Sequence, residues 1–325
     1  MAFVLIEKIK NTTWHEDILG NGFEMCQYSF NIGKNIRKAT LVRKSCVIAS
    51  NSAILYIHGY NDYFFHEEMA NRFISNNINF YAIDLMGYGR SLSPKETPFD
   101  IKDISQYFSS INIAISLIKQ DNISNIVLFG HSTGGLISSC YINENSTNIT
   151  GVILNSPFLD WNLKPFLKKI MIPIVSYIGK YIPNIKIKQP TTIPYSQSLL
   201  SEFHGEWNYN TSWKFIQAPS VTSQWIRAIN IAQQQLRKSS NISIPILLLR
   251  SDNSVYGSKW SPKFNNGDAI LSVNDISKYG SKLGFDVTER IIKNGIHDLV
   301  LSSKPIRNNV YNTIFDWINS KGICQ

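Results

Sequence analysis

The sequence lacks any run approaching the roughly 18 consecutive apolar residues that a membrane-spanning helix requires. Its first six residues are apolar, but Glu7 and Lys8 follow them at once. Such a stretch is shorter than the hydrophobic region of a signal peptide, and no basic residues precede it. These absences predict a soluble protein of the cytoplasm.

Cysteine is also scarce, because the 325 residues include only four, at positions 26, 46, 140 and 324. None of them forms a Cys-x-x-Cys pair, and a chain of this length does not need disulfides to fold. We therefore expect reduced thiols. The sequence shows no cluster of histidine, cysteine and carboxylate residues at metal-ligand spacing, so we expect neither a metal nor a cofactor.

Acidic residues are outnumbered, since 23 aspartates and glutamates stand against 32 lysines and arginines and the formal net charge is +9. A basic protein of this kind is suited to nucleic acid, to an anionic membrane surface or to an acidic substrate. No nucleic-acid-binding motif accompanies the charge, so we expect no nucleic-acid partner.

What the sequence does contain is an alternation of short β-rich runs with helical patterns, which is typical of a parallel sheet with crossover helices. Residues 53–57 and 126–129 are continuously apolar, as in strands buried on both faces. Residues 101–119 instead carry apolar residues at helical spacing. The same patterns predict further strands at 23–30, 39–48, 79–85, 151–154, 245–250 and 285–292, and further helices at 64–75, 135–141, 275–283 and 308–320.

The alternation stops between residues 158 and 240, where helical patches, prolines and aromatic residues occur without a clear strand. Because strands resume at residue 245, we predict one α/β domain in two sequence pieces, residues 1–157 and 241–325. A mostly helical insertion, residues 158–240, separates the two pieces.

A Gly-x-Ser-x-Gly motif lies at residues 130–134, between a predicted strand and a predicted helix. In this setting the central residue, Ser132, sits on a strained strand-to-helix turn that exposes its hydroxyl. Gly130 and Gly134 let the backbone and the helix pass without a Cβ clash. The N-terminus of the following helix adds positive potential where an oxyanion forms. The pattern predicts that Ser132 is the nucleophile of an acyl-transfer enzyme.

An acyl-transfer serine also needs a general base and backbone N–H donors for the oxyanion. Of the six histidines, only His297 follows the last predicted strand, which is where this chain order puts the base. The loop after the strand at 53–57 begins with His58-Gly59. We expect the two donors to be the backbone N–H groups of Tyr60, in this loop, and of Thr133, next to the serine.

The acid of such a triad lies between serine and histidine in the sequence, and Asp252 and Asp268 compete for this role. Asp252 comes directly after the predicted strand at 245–250, the usual place. The acid and the histidine are separated by a helix, a strand and two loops, roughly 25–30 residues at typical lengths. Asp268 precedes His297 by 29 residues and Asp252 precedes it by 45, so the spacing favours Asp268.

With these residues in place, the chain resembles α/β hydrolases of the monoacylglycerol lipase, lysophospholipase and serine aminopeptidase (S33-like) group. The stretches that carry the resemblance are residues 55–63, 84–91, 130–135 and 295–302. Residues 268–271 also resemble the acid loop of bacterial members. The resemblance implies an α/β-hydrolase fold, in which a mostly parallel sheet is flanked by helices and the insertion forms a helical cap over the serine.

The implied activity is hydrolysis of a carboxylic ester with an acyl chain, such as a monoacylglycerol or a lysophospholipid, through an acyl-enzyme on Ser132. An S33-like serine aminopeptidase is the alternative enzyme, and it needs an acidic group in the cap to hold the substrate's ammonium. Residues 161–201 offer none, while Glu202 and Glu206 follow them. The alternative that is not an enzyme is a binding protein of the same fold without activity. The absence of a triad residue from the sequence would favour this alternative.

The first half of the insertion, residues 161–201, contains six lysines and no aspartate, glutamate or arginine. Aliphatic and aromatic residues lie between these lysines, which are at positions 164, 168, 169, 180, 186 and 188. A basic and apolar cap is suited to peripheral contact with an anionic bilayer. The alternative is that the apolar residues pack the cap on the core while the lysines solvate its outside. Pro173 and Pro183 interrupt the segment, so we do not expect it to span a membrane.

Overall fold

The computed structural model describes residues 13–94, 97–145 and 148–324. The apolar run at residues 1–6 lies outside the described residues. Eleven strands are present in the described ranges: β1 (His15–Glu16), β2 (Glu24–Ile32), β3 (Asn35–Lys44), β4 (Ser52–Ile57), β5 (Asn79–Asp84), β6 (Asn125–His131), β7 (Gly151–Asn155), β8 (Lys186–Ile187), β9 (Val221–Thr222), β10 (Ile246–Ser251) and β11 (Val287–Ile292).

Nine of these strands form the central sheet, in the order β1-β2-β3-β5-β4-β6-β7-β10-β11. The strands from β1 to β3 pair antiparallel, as does β3 with β5, and every pair from β5 to β11 is parallel. The predicted α/β fold with a mostly parallel sheet is therefore confirmed. Although the insertion separates β7 from β10 in the sequence, the two strands are hydrogen-bonded neighbours. Residues before and after the insertion thus build one sheet.

The parallel strands are buried on both faces, which explains their continuous apolar runs. In β4, Leu55 lies in the hydrophobic core on one face of the sheet, whereas Ile54 and Tyr56 lie in the core on the other face. The neighbouring strand β6 repeats this alternation with Leu128 and Val127. Successive side chains of a strand point to opposite faces, so a strand between two helical layers needs an apolar residue at each position.

Eight α-helices are present in the same described ranges: α1 (Glu67–Ile74), α2 (Phe108–Gln120), α3 (Thr133–Glu144), α4 (Pro165–Tyr181), α5 (Ile193–Leu199), α6 (Ser223–Ser239), α7 (Val273–Gly280) and α8 (Lys304–Ser320). Apolar side chains of α2, α3 and α6 fill the core on one face of the sheet, and those of α1 and α8 fill the core on the other. None of the helices in the described part of the chain combines the length and apolarity that crossing a membrane requires.

The insertion differs from its prediction in two details. Its short strands β8 and β9 pair antiparallel, although the sequence shows no clear strand there. Helix α4 continues through Pro173, which was expected to interrupt it. A proline inside a helix removes one hydrogen bond and crowds the carbonyl group four residues earlier. Helix α4 nevertheless packs closely on α6, where a Cβ on Gly179 would lie 2.3 Å from the carbonyl oxygen of Ser223. This packing keeps the helix in one piece.

Candidate active site

Ser132 lies on the turn between β6 and α3, and its backbone has φ 51° and ψ −114°. A positive φ is strained for a residue that carries a Cβ. The neighbouring glycines make the turn possible. A Cβ on Gly130 would lie 2.5 Å from the Gly134 carbonyl oxygen, and a Cβ on Gly134 would lie 2.1 Å from the carbonyl oxygen of Ile57. Neither position admits a side chain.

Three of the predicted side chains meet in one hydrogen-bonded chain. Ser132 Oγ lies 3.0 Å from His297 Nε2, and His297 Nδ1 lies 2.9 Å from Asp268 Oδ2. All three residues are buried, although Ser132 keeps 8% of its surface exposed. The other oxygen of Asp268 accepts hydrogen bonds from the backbone N–H groups of Ile270, at 2.8 Å, and Leu271, at 2.7 Å. These bonds hold the carboxylate in one orientation toward the histidine.

The structure brings Asp268, rather than Asp252, to His297. Asp252 is exposed at the end of β10, where its Oδ1 accepts a hydrogen bond from the backbone N–H of Asn294 at 2.9 Å. After Asp252 the chain leaves the sheet, and it returns to the same strand end at Asp268. There the Asp268 N–H donates a hydrogen bond to the Asn253 carbonyl at 2.9 Å. The two competing aspartates therefore lie near the same strand end, and the returning loop turns one of them toward the histidine.

The loop that follows β4, residues 58–63, passes directly beside the serine, and we call it the β4 loop. A Cβ on Gly59 would lie 3.1 Å from the Cβ of Ser132. Neither the Tyr60 nor the Thr133 backbone N–H donates a hydrogen bond to another residue that the structure describes. The two predicted oxyanion donors are thus adjacent to the nucleophile candidate, and Thr133 also opens helix α3, whose N-terminus favours negative charge.

A buried polar cluster that the sequence analysis did not identify lies next to the serine. Ligating atoms of Asp62, His131 and Asp298 all lie within 4.8 Å of one another. Burial lowers the pKa of His131 to about 4, so this histidine is neutral at pH 7. Burial raises the pKa of Asp62, but the nearby Lys214 ammonium and the neighbouring histidines outweigh it, and the pKa is lowered overall.

Such a cluster has the donor types of a metal site, but a protein cation already pairs with one of its two carboxylates. Lys214 Nζ donates to Asp62 Oδ1 at 2.6 Å, and Asn155 Nδ2 donates to Asp298 Oδ1 at 2.7 Å. The Lys214 ammonium therefore neutralises Asp62, whereas Asp298 Oδ2 is buried and has no hydrogen-bond partner among the described residues. His131 directly precedes Ser132, and Asp298 directly follows His297. Their positions beside the predicted catalytic residues could have identified them from the sequence. Lys214 carries no local signal, because it belongs to the insertion.

Aromatic residues of the insertion also reach the site. The ring of Tyr195, in α5, lies 5.8 Å from the ring of His297 between centroids. The ring of Trp225, in α6, lies 5.0 Å from that of Tyr60 and 6.1 Å from that of Trp161. The insertion thus places aromatic rings beside the candidate base and beside Tyr60 of the β4 loop.

A family model described as serine aminopeptidase, S33 (Hydrolase_4) matches residues 49–259 of the chain. The match covers more than half of the sequence. The chain belongs to this family. The matched region of this S33 member includes the β4 loop and Ser132, whereas Asp268 and His297 follow it. The family resemblance predicted from the sequence motifs is confirmed.

The protein is also similar to proteins that are named as lipases or lysophospholipases. A protein of Haemophilus influenzae, named probable lysophospholipase L2, is 20% identical over 72% of this chain and 72% of its own length. The monoglyceride lipase of Rattus norvegicus is 23% identical over 79% of this chain and 78% of its own. The crystal structure of a soluble variant of monoglyceride lipase from Saccharomyces cerevisiae, in complex with a substrate analog, superposes with a TM-score of 0.67 at 15% identity and covers 96% of each chain. The chain therefore has the α/β-hydrolase fold that these lipases share.

Proposed function

We propose that this protein is a serine hydrolase that cleaves carboxylic esters through an acyl-enzyme on Ser132. The observation that carries the proposal is the continuous hydrogen-bonded chain from Asp268 through His297 to Ser132, on a turn with positive φ. Acyl transfer needs a nucleophile, a base within hydrogen-bond reach of it and a group that orients the base.

In the proposed mechanism, His297 Nε2 takes the Ser132 proton while Ser132 Oγ attacks the acyl carbonyl carbon. Asp268, bonded to Nδ1, holds the imidazole in the required tautomer and stabilises the imidazolium. The backbone N–H groups of Tyr60 and Thr133 stabilise the oxyanion. His297 then protonates the leaving alcohol, and it later deprotonates the water that hydrolyses the acyl-enzyme. These steps use no metal and no cofactor.

The substrate that we propose is an ester with an acyl chain, such as a monoacylglycerol or a lysophospholipid. Relatives that bear lipase and lysophospholipase names align over more than two thirds of this chain. The aromatic rings of Tyr60, Trp161 and Trp225 offer an apolar wall of the kind that receives an acyl chain.

The alternative is an aminopeptidase that acts on small peptides, which the description of the family supports. Such an enzyme needs an unpaired carboxylate to hold the substrate's ammonium. Within the insertion, Asp160 is paired with both Lys168 and Arg237, and Glu206 is paired with Arg307. The third acidic residue of the insertion, Glu202, is exposed and forms no ion pair among the described residues, so it is the carboxylate left for an ammonium. Ester hydrolysis is the better supported activity because the relatives bear lipase and lysophospholipase names. A binding protein without activity is disfavoured by the complete set of triad side chains.

We also propose that residues 158–240 act as a cap and that the outer surface of this cap contacts an anionic membrane peripherally, from the cytoplasm. Five of the six lysines in residues 161–201 are exposed. The sixth, Lys168, is ion-paired with Asp160 and Asp275 and does not take part. Large apolar side chains are exposed on α4 among these lysines: Phe166, Leu167, Ile170, Met171, Ile174, Tyr177 and Tyr181.

Replacement of the nucleophile tests the proposed function. Ser132→Ala is expected to abolish hydrolysis of p-nitrophenyl esters and labelling by a fluorophosphonate probe. The matched control is Ser139→Ala, a buried serine in the middle of helix α3, which is expected to keep both. A substrate panel of monoacylglycerols, lysophospholipids and aminoacyl amides then separates a lipase from an aminopeptidase. Labelling at another serine, or full activity of Ser132→Ala, would contradict the proposal.

A further inference from the structure

The β4 loop is held in place by a short stretch of the insertion. Each residue from 60 to 63 forms a hydrogen bond with a residue between 210 and 219. We call residues 210–219 the clamp segment. The loop that carries the Tyr60 N–H is therefore attached to the insertion along four consecutive residues, although more than 140 residues of sequence lie between the two.

Asn61 makes the most directional of these contacts. Its side-chain Nδ2 donates to the Phe215 carbonyl at 2.7 Å, and its Oδ1 accepts from the Phe215 N–H at 2.9 Å. Two bonds to the backbone of one residue fix orientation as well as distance. The Asn61 backbone has φ 51°, a left-handed conformation that asparagine tolerates better than most residues. Both the side chain and the backbone of Asn61 thus set the course of the β4 loop.

An ion pair and two tyrosines reinforce the contact. Lys214 Nζ lies 2.6 Å from Asp62 Oδ1, and both residues are buried. Tyr60 Oη donates to the Pro219 carbonyl at 3.1 Å, and Tyr63 Oη accepts from a backbone N–H of the clamp segment at 2.8 Å. Breaking this ion pair would leave an unpaired charge in a buried site, which is strongly unfavourable. The clamp segment therefore stays attached to the loop.

We infer that the clamp segment positions the Tyr60 N–H for oxyanion stabilisation and that Asn61 is the principal positioning residue. The inference rests on the proposed function. Oxyanion donors must lie about 2.7–3.1 Å from the oxyanion, and the β4 loop is already so close to the serine that a Cβ on Gly59 would lie 3.1 Å from the Cβ of Ser132. A small displacement of the loop therefore weakens transition-state binding more than substrate binding. The insertion takes part in the chemistry as well as enclosing the substrate.

The test removes the Asn61 side chain without straining its backbone. Asn61→Gly deletes both bonds to Phe215, while glycine accepts a positive φ freely. The matched control is Asn77→Gly, an exposed turn position with φ 55° whose side chain bonds to no other described residue. We expect Asn61→Gly to lower kcat/KM about 10- to 100-fold, mainly in kcat, which is less than the loss of a complete oxyanion donor. Asn77→Gly is expected to stay within about two-fold of wild type.

An inhibitor that forms a tetrahedral adduct separates positioning from a general effect on folding. A trifluoromethyl ketone bound to Ser132 places its oxyanion at the same donors, so its Ki is expected to rise by the factor by which kcat/KM falls. Active sites are titrated first with a fluorophosphonate. A lower titre with unchanged kcat per site and unchanged Ki would mean a structural role only, and it would overturn the inference.

The Ser132→Ala variant, run in the same assay, separates failure of this inference from failure of the proposed function. If Ser132→Ala remains active, the proposed function is wrong. If Ser132→Ala is inactive and Asn61→Gly matches wild type in kcat and Ki, only the positioning role is wrong.

Discussion

Asp268 and Asp252 lie near the same end of β10 but differ in what they contact. Because Asp268 accepts a hydrogen bond from His297 Nδ1, Asp268→Asn is expected to favour the wrong tautomer of the histidine and to lower kcat by about 10⁴. Asp252→Asn is expected to change kcat less than about two-fold, since Asp252 is exposed. Steady-state kinetics on a p-nitrophenyl ester measures both, and a larger loss in Asp252→Asn would contradict the assignment.

His131 gives the stability of the protein a specific pH dependence. Burial lowers its pKa from 6.5 to about 4. Between these two pH values, the His131 imidazole binds a proton in the unfolded chain but not in the folded protein. The free energy of unfolding therefore falls as the pH falls from 6.5 to 4, and His131 accounts for roughly 3 kcal/mol of that loss. His131→Gln is expected to flatten this slope, measured by urea denaturation at several pH values.

His58 and His66, whose pKa values burial also lowers, provide the background for this measurement. Both remain in wild type and variant, so the difference between the two slopes isolates His131. Parallel slopes for the two proteins would show that His131 titrates alike in the folded and unfolded states.

At the scale of residues, the sequence was enough to identify the candidate catalytic residues that lie in local motifs. Ser132 and His297 follow strands in recognisable contexts, and the spacing argument selected the aspartate that the structure brings to His297. Their catalytic roles remain predictions. Lys214 was out of reach, because its partner Asp62 is distant in sequence and no local pattern reports a buried ion pair.

At the scale of elements, the crossing of α4 and α6 depends on one glycine. Alanine normally stabilises a helix by about 1 kcal/mol relative to glycine. At Gly179 an added Cβ would lie 2.3 Å from the Ser223 carbonyl oxygen, so Gly179→Ala is expected to destabilise the protein by about 1–3 kcal/mol instead. The neighbouring exposed position serves as control, and Lys180→Ala is expected to stay within about 0.5 kcal/mol. Urea denaturation measures both, and a gain in stability for Gly179→Ala would contradict the close crossing.

The parallel strands were predicted more closely than the helices, for a physical reason, whereas the antiparallel strand predicted at 39–48 lies at Asn35–Lys44. A strand between two helical layers, such as β4, must be apolar at each position, so its ends are visible in composition. The helix predicted at 101–119 instead begins at Phe108, after a 3₁₀ turn over Ile104–Tyr107 that Asp103 caps. Turn and helix share the same apolar spacing over a few residues, so the spacing alone does not separate them.

At the scale of the whole molecule, the alternation of strands and helices was enough to predict an α/β sheet, because each parallel pair requires a crossover. The contact between the clamp segment and the β4 loop was not predictable in the same way. It joins residues of the insertion to residues of the sheet domain through side chains such as Asn61 and Lys214, whose partners are set only when the chain is folded.

The proposed contact with a membrane rests on the exposed apolar residues and lysines of the insertion. On α4, Phe166 is 68% exposed and Tyr177 is 64% exposed, with Lys164, Lys169 and Lys180 exposed around them. Each lysine near an anionic bilayer contributes up to about 1 kcal/mol, and salt screens this attraction over about 10 Å at 0.1 M. Binding to liposomes is therefore expected to rise with the fraction of anionic lipid and to fall with added salt in a co-sedimentation assay.

A matched pair of triple variants distinguishes this surface from the overall positive charge of +9. Changing Lys164, Lys169 and Lys180 to glutamine is expected to weaken binding to anionic vesicles at least about ten-fold, because three attractive charges leave the contact surface. Changing three exposed lysines outside the insertion, at positions 34, 38 and 293, removes the same charge and is expected to weaken binding much less. Lys168 is left unchanged in both, since its ion pairs anchor α4. Equal losses in the two variants would mean that net charge alone drives binding. If the wild-type protein binds neutral and anionic vesicles equally and negligibly, the insertion has only the role of enclosing the acyl chain.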